Sequence, residues 1–212
     1  MKKIIPFLFA AALLTTACEK TPDTGELDDD YLVYTNYDDD TNFKSFNTFY
    51  IPDSVLIIDN NSNKPKYLYA TPESQMIIAN FVKGMNNAGY TRTDDKAAAD
   101  FGLQISYIED TYRFRFYNNY PWWASYPWYW SWFYWGNWGG WYWPYNVTYS
   151  YTTGSILGEL VDLTEPESTS KSLKIVWSCY LSGLLNNKGT LNTTNVQEAI
   201  NQAFVQSPYL NK

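Results

Sequence analysis

The sequence predicts an α/β chain of the α+β sandwich type: a largely antiparallel sheet with two helices packed on one face, plus a long aromatic-rich insertion. Three observations lead there. Two segments, 72–88 and the stretch from Thr194 to Pro208, repeat apolar residues at helical spacing. Other segments alternate apolar and polar residues or run apolar for strand lengths. Their order is strand, strand, helix, strand, insertion, strand, strand, helix, which suits helices laid on one side of a sheet.

The chain begins with Lys2 and Lys3, an eleven-residue apolar run at 4–14, and the small residues Thr15, Thr16 and Ala17 before Cys18. That is the layout of a secretory signal peptide over 1–17. The run is too short for a membrane span, which needs about 20 apolar residues. Cys18 at the cleavage point is the expected lipidation site, although Thr15 stands where a lipobox usually has Leu. Two or more acyl chains, palmitate among them, would anchor the mature chain stably, at about 0.8 kcal/mol per buried methylene. Residues 18–36 read as a polar tether. Within it, Asp28–Asp30 is either a signal for surface display or a solvated spacer.

The folded region is expected over 37–210. Phe46, Phe49, Tyr50 and Ile51 favour a strand near 47–51, ended by Pro52, and VLIID at 55–59 favours another. Residues 60–66 form a polar loop. Thr71 caps the first helix and Pro72 suits its first position. Ile77, Ile78, Phe81, Val82 and Met85 mark its buried face, and Gly89 stops it. In 100–108, Phe101, Leu103, Ile105 and Tyr107 share one face and Gly102, Gln104 and Ser106 the other, as in a half-buried strand. YRFRFY (112–117) extends that strand or forms another.

After the insertion, Ile156, Leu157, Leu160 and Val161 mark a strand within 148–163, and 164–171 reads as a hairpin loop. The next strand, 172–183, places Ile175, Trp177 and Cys179 on one face and Val176, Ser178 and Tyr180 on the other. Thr194 and Gln197 make a capping-box pattern for the second helix. Val196, Ile200 and Phe204 line its inner face, and Pro208 ends it.

Composition excludes several chemistries. Without its signal peptide the chain has nine more acidic than basic residues. With no basic face to offer phosphates, nucleic acid is not an expected partner. There is no His anywhere. Catalysis through Ser-His-Asp or Cys-His pairs is therefore impossible, and so are His-based zinc sites. With Cys18 acylated, Cys179 stands alone in an apolar run and reads as a buried small hydrophobe. Asp38, Asp40 and Asn42 imitate the start of an EF-hand loop. Phe43 occupies the position that needs Gly and Phe49 the one that needs Glu, so no metal site is assigned. No cofactor is expected, and the chain is not expected to be an enzyme. Asp94-Asp95 and Glu165-x-Glu167 read as solvated loop acids. Glu109-Asp110, beside the insertion, is the one acidic pair placed to matter for chemistry.

Residues 37–51 (YDDDTNFKSFNTFYI) resemble the opening of the domain-of-unknown-function family 4136, with Phe43, Phe46, Thr48 and Phe49 at the matching positions. Gly89-Tyr90 and Ala99-Asp100 resemble the next motifs. Gly154, Leu157 and Asp162 follow with looser spacing, then Val176-Trp177, and Ala199, Phe204 and Pro208 close the pattern. The resemblance spans 37–210 and implies a Bacteroidota-like envelope lipoprotein with no assigned activity. It carries over no catalytic residue and does not account for the aromatic density of the insertion.

The insertion, 117–145, holds 17 aromatic residues and no charge. It includes Trp122, Trp123, Trp128, Trp130, Trp132, Trp135, Trp138, Trp141 and Trp143. Three readings compete. Aromatics bury large areas, so the segment could be a structural lid. Exposed apolar patches mark partners, and Trp and Tyr favour bilayer interfaces, so it could be a contact surface for an envelope protein or a membrane. Flat rings also stack on sugars, so it could hold a glycan, with Glu109 or Asp110 nearby for cleavage. The expected role is a non-enzymatic binding or scaffolding protein held by its lipid in the outer membrane, on the periplasmic face or the cell surface. A glycan-binding or glycan-cleaving lipoprotein is the alternative.

Overall fold

A computed structural model describes residues 31–59, 66–109, 141–142, 144, 152–164 and 172–212. In chain order the strands are β1 (Leu32–Tyr37), β2 (Thr48–Tyr50), β3 (Ser54–Ile58), β4 (Lys66–Tyr69), β5 (Thr91–Arg92), β6 (Phe101–Ile108), β7 (Trp141–Tyr142), β8 (Ser155–Asp162) and β9 (Leu173–Ser182). The helices are α1 (Pro72–Asn87) and α2 (Thr193–Val205).

These strands form one mixed sheet in the order β1-β9-β8-β6-β2-β5. The long ladders β1/β9, β9/β8 and β8/β6 are antiparallel, as is β3/β4. β2 and β3 both run parallel to β6, one after the other. Pro52, which has no N–H to give a ladder, falls in the break between them. β5 lies outside β2, and β4 outside β3.

Both helices pack on the same face, as the sequence predicts. Phe81 of α1 lies over Gly158 of β8, and Phe204 of α2 lies over Trp177 of β9 with ring centroids 5.5 Å apart. α1 begins where its sequence says it should. Thr71 Oγ1 accepts from the Ser74 N–H at 3.2 Å, and Ser74 Oγ accepts in return from the Thr71 N–H at 3.1 Å. Gly89 follows its cap with φ +100°, a conformation glycine adopts without strain.

Four expectations are corrected. The folded unit begins at Tyr31, not at 37, so β1 lies inside the span read as tether. The cap of α2 is Asn192, whose Oδ1 accepts from the Thr194 and Asn195 N–H groups at 3.1 and 3.4 Å. The Thr194–Gln197 capping box is not used. β6 is buried on both faces, not one, with Gln104 and Ser106 as inaccessible as Leu103. Finally, a bulge between Leu160 and Val161 shifts the β8/β9 register. It puts Val176 in the helix-side core with Trp177 and Cys179, and takes Ile175 out of it.

The helix-side core is aromatic at one end. Phe46 stacks on Phe101 at 4.1 Å, and Tyr90 meets Phe101 edge-on at 5.6 Å. The C-terminal turn at Pro208–Leu210 closes this end. There the Tyr90 hydroxyl is shared between the carbonyls of Phe43 and Leu210 at 3.1 and 2.9 Å, and Trp177 Nε1 donates to Ser207 Oγ at 2.9 Å. On the opposite face Leu56, Ile58, Ile108, Leu157, Val161 and Tyr180 are also buried.

Candidate functional site

Two clefts and one buried row collect the polar side chains of the described residues. The first cleft, about 300 Å3, lies where the ends of β1, β8 and β9 meet the turn before β2. Lys174 lines it and is ion-paired with the buried Asp38. The Asp38 backbone N–H continues the β1/β9 ladder to the Val176 carbonyl at 2.9 Å, which fixes the side chain in place. Burial pushes the Asp38 carboxyl up. The Lys174 ammonium, the Thr41 hydroxyl and the Asp40 backbone together outweigh that and hold it below its usual value.

Two other carboxylates of this cleft, Asp100 and Asp162, are held by hydrogen bonds. Asp100 accepts from the N–H groups of Asn47 and Thr48 at 2.6 and 3.0 Å. Asp162 accepts from the N–H and hydroxyl of Thr164 at 2.8 and 2.7 Å. Carboxylate oxygens of Asp38, Asp39 and Asp40 approach within 4.8 Å of one another. Of the three, Asp38 is committed to Lys174, while Asp39 and Asp40 are exposed.

The second cleft, about 550 Å3, runs beside α1 where β4 and β5 leave a gap in the sheet edge. Ile78 and Val82 line it, and Arg92 pairs with the exposed Asp53 at 2.8 Å at its rim. Ala70, at φ +49°, makes the turn from β4 into α1 there.

The row crosses the sheet centre on the face away from the helices. Gln104 stands opposite Glu159, and Glu159 opposite Ser178, all buried. Gln104 Nε2 donates to the Ile105 carbonyl at 3.0 Å. A carboxylate this deep is strongly constrained by its surroundings.

Of the residues singled out in the sequence, Cys179 is fully buried beside Phe81 and Gly158, and burial pushes its thiol far up, so it is a core residue and not a nucleophile. Asp94 and Asp95 are exposed, and Asp95 caps a short turn by accepting from the Ala97 N–H at 3.0 Å. Glu109 is exposed just past β6, its N–H bonded to the Ile58 carbonyl at 2.9 Å. Cys18, Asp110, Glu165, Glu167 and Trp122, Trp123, Trp128, Trp130, Trp132, Trp135, Trp138 and Trp143 lie outside the described residues. Trp141 is described only through its backbone, in β7, which pairs with β9 at Leu173. The Asp38–Lys174 pair escaped sequence reasoning because its partners are far apart in the chain. Its signal was Lys174, the one charge in strand β9.

These features define an α+β domain with an open mixed sheet and helices on one side. The chain belongs to the family whose model matches residues 33–209, described as a domain of unknown function (DUF4136). It is similar to the crystal structure of a DUF4136 family protein from Bacteroides thetaiotaomicron VPI-5482. The two are 48% identical with a TM-score of 0.75, over 86% of this chain and 98% of that one. Two further structures, a PelC dodecamer from Paraburkholderia phytofirmans and a PDZ domain protein from Parabacteroides distasonis, are each 12% identical with a TM-score of 0.38. The matches cover 86% of this chain and 99% and 37% of theirs. No curated protein matches the chain.

Proposed function

We propose that this is a lipid-anchored protein of the bacterial cell envelope, held in the outer membrane through Cys18, that acts by binding or scaffolding and not by catalysis. The observation that carries the anchoring is the sequence of zones before Cys18: two Lys, an apolar run too short to span, then small residues. The binding role draws on the segment 117–145, which concentrates nine of the ten Trp without a single charge. Such a segment suits a contact surface for an envelope protein or a membrane interface. Support for a non-catalytic role comes from chemistry. The chain has no His, its Cys179 thiol is buried, and Asp38, Asp100 and Asp162 at the acidic cleft are committed to Lys174 and to backbone or hydroxyl donors.

The second reading is glycan binding or cleavage, by rings of the segment and by Glu109, exposed just past β6 and a few positions before the segment in sequence. Two measurements separate these. Cys18→Ser is expected to move the protein from the membrane fraction to the soluble one and to abolish labelling by a palmitate analogue; retention in the membrane would refute the anchor. Acrylamide quenching then reports on the segment, because Trp177, the one Trp outside it, is fully buried and stays dark to the quencher. A readily quenched signal that shifts with vesicles supports the contact surface. A shift with soluble glycan, lost in Glu109→Gln, supports the second reading.

A further inference from the structure

We propose that the outer edge of β1 is a docking site for an extended strand of a partner protein, apolar along its length and basic where it passes Asp39 and Asp40. This inference stands on the described sheet and needs neither the lipid anchor nor the aromatic segment.

β1 ends the sheet order, and among the described residues no strand pairs with its outer side. The direction of its main chain follows from the ladder. Asp38 N–H bonds the Val176 carbonyl, and Asp38 and Val176 continue the register that sets Asn36 opposite Ser178 and Tyr34 opposite Tyr180. In an antiparallel pair, hydrogen-bonded residues alternate with residues whose N–H and C=O point the other way. Val33 and Thr35 therefore turn their main-chain groups outward, while the Tyr37 N–H is taken by Asn36 Oδ1 at 2.9 Å.

An edge like this is normally blunted by shortness, a Lys, a Pro or a bulge. The other edges of the same sheet follow that rule: β5 has two residues, one of them Arg92, and β4 has four, beginning with Lys66. β1 has six residues, LVYTNY, with none of these devices. It is also where apolar surface is left open. Leu32 is 61% exposed, and Tyr37 is 38% exposed with its other face stacked on Tyr209 at 3.7 Å. Strand addition draws affinity from main-chain hydrogen bonds and selectivity from alternate side chains, and both are present here.

Charge selects the occupant. The chain is acidic, with 22 Asp and Glu against 15 Lys and Arg, and exposed Asp39 and Asp40 stand directly after the strand. A second copy would bring the same acidic flank to the same edge, whereas a basic flank gains attraction from it.

The test uses the full mature chain, made soluble by Cys18→Ser, and a fluorescent twelve-residue peptide of two Lys followed by alternating Thr and Val. The peptide is expected to bind and to slow amide hydrogen exchange at Val33 and Thr35. N-methylation of alternate peptide residues leaves its side chains intact but removes donors, and is expected to weaken binding at least about tenfold. Glu in place of Lys is expected to weaken it as well and to reverse its salt dependence, since salt then screens a repulsion. Val33→Pro should reproduce the loss. Equal binding by the methylated peptide, protection elsewhere in the sheet, or no binding at about 1 mM would overturn the proposal. So would a dimer of the free chain with Val33 and Thr35 already protected, which would make the second copy the occupant.

Discussion

At Gly158 the backbone of β8 meets the helix layer with no space to spare. A Cβ there would lie 2.9 Å from Cys179 Sγ and 2.9 Å from Phe81 Cε1, both fully buried. Overpacking of this kind costs about 1–3 kcal/mol. Gly158→Ala should lower the urea midpoint accordingly, with an unchanged slope. Tyr90 gives a pH signature. Burial raises its hydroxyl from 10.0 to about 12, and the hydroxyl bonds two carbonyls as a neutral donor. Because the folded value lies above the unfolded one, the stabilisation is complete below about pH 10 and is lost as pH rises through about 12. On linkage arithmetic the loss is on the order of 2 kcal/mol. Urea titrations from pH 8 to 11.5 should show that decline, and Tyr90→Phe should flatten it while lowering stability at neutral pH.

Among the elements, α2 tests the corrected cap. Asn192→Ala should cost about 1 kcal/mol, the usual worth of an N-cap, while Thr194→Ala should be near neutral. The reverse result in thermal melts would restore the capping box predicted from Thr194 and Gln197. Sequence patterns place α1 well because cap, Pro72 and apolar face all agree within one segment. They misplace the α2 cap because Asn192, Thr193 and Thr194 are all acceptable caps, and only backbone geometry at Asn192 chooses between them. They also miss β1. LVYTNY alternates, yet it follows an acidic run, and its pairing partner β9 lies some 140 residues on. The Asp38–Lys174 pair at its end makes a further prediction. Asp38 is held low when folded, so its contribution is present at neutral pH and lost as pH falls through that lowered value. Lys174→Met should remove the attraction, lower stability at neutral pH and flatten the acid dependence, because burial then raises the Asp38 carboxyl instead of leaving it low.

At the scale of the described sheet, the side of β4 and β5 ends in short, charged strands, whereas no described strand pairs with the outer side of β1. That asymmetry locates the proposed docking edge, and it is a property of strand order, not of any one strand. By itself the sequence determined the α+β class, the two helices and their inner faces, the burial of Cys179, and the family, because each is written in local periodicity, composition or short motifs. The export zones and the aromatic segment were equally legible as composition. Only the tertiary structure decided that β2 and β3 run parallel to β6, and that a bulge sends Val176 inward in place of Ile175. Burial of Gln104 and Glu159 side by side at the sheet centre, and the pairing of Lys174 with Asp38, were decided there too. These depend on which distant strands become neighbours, and a two-residue alternation looks the same whether one face of a strand is covered or both.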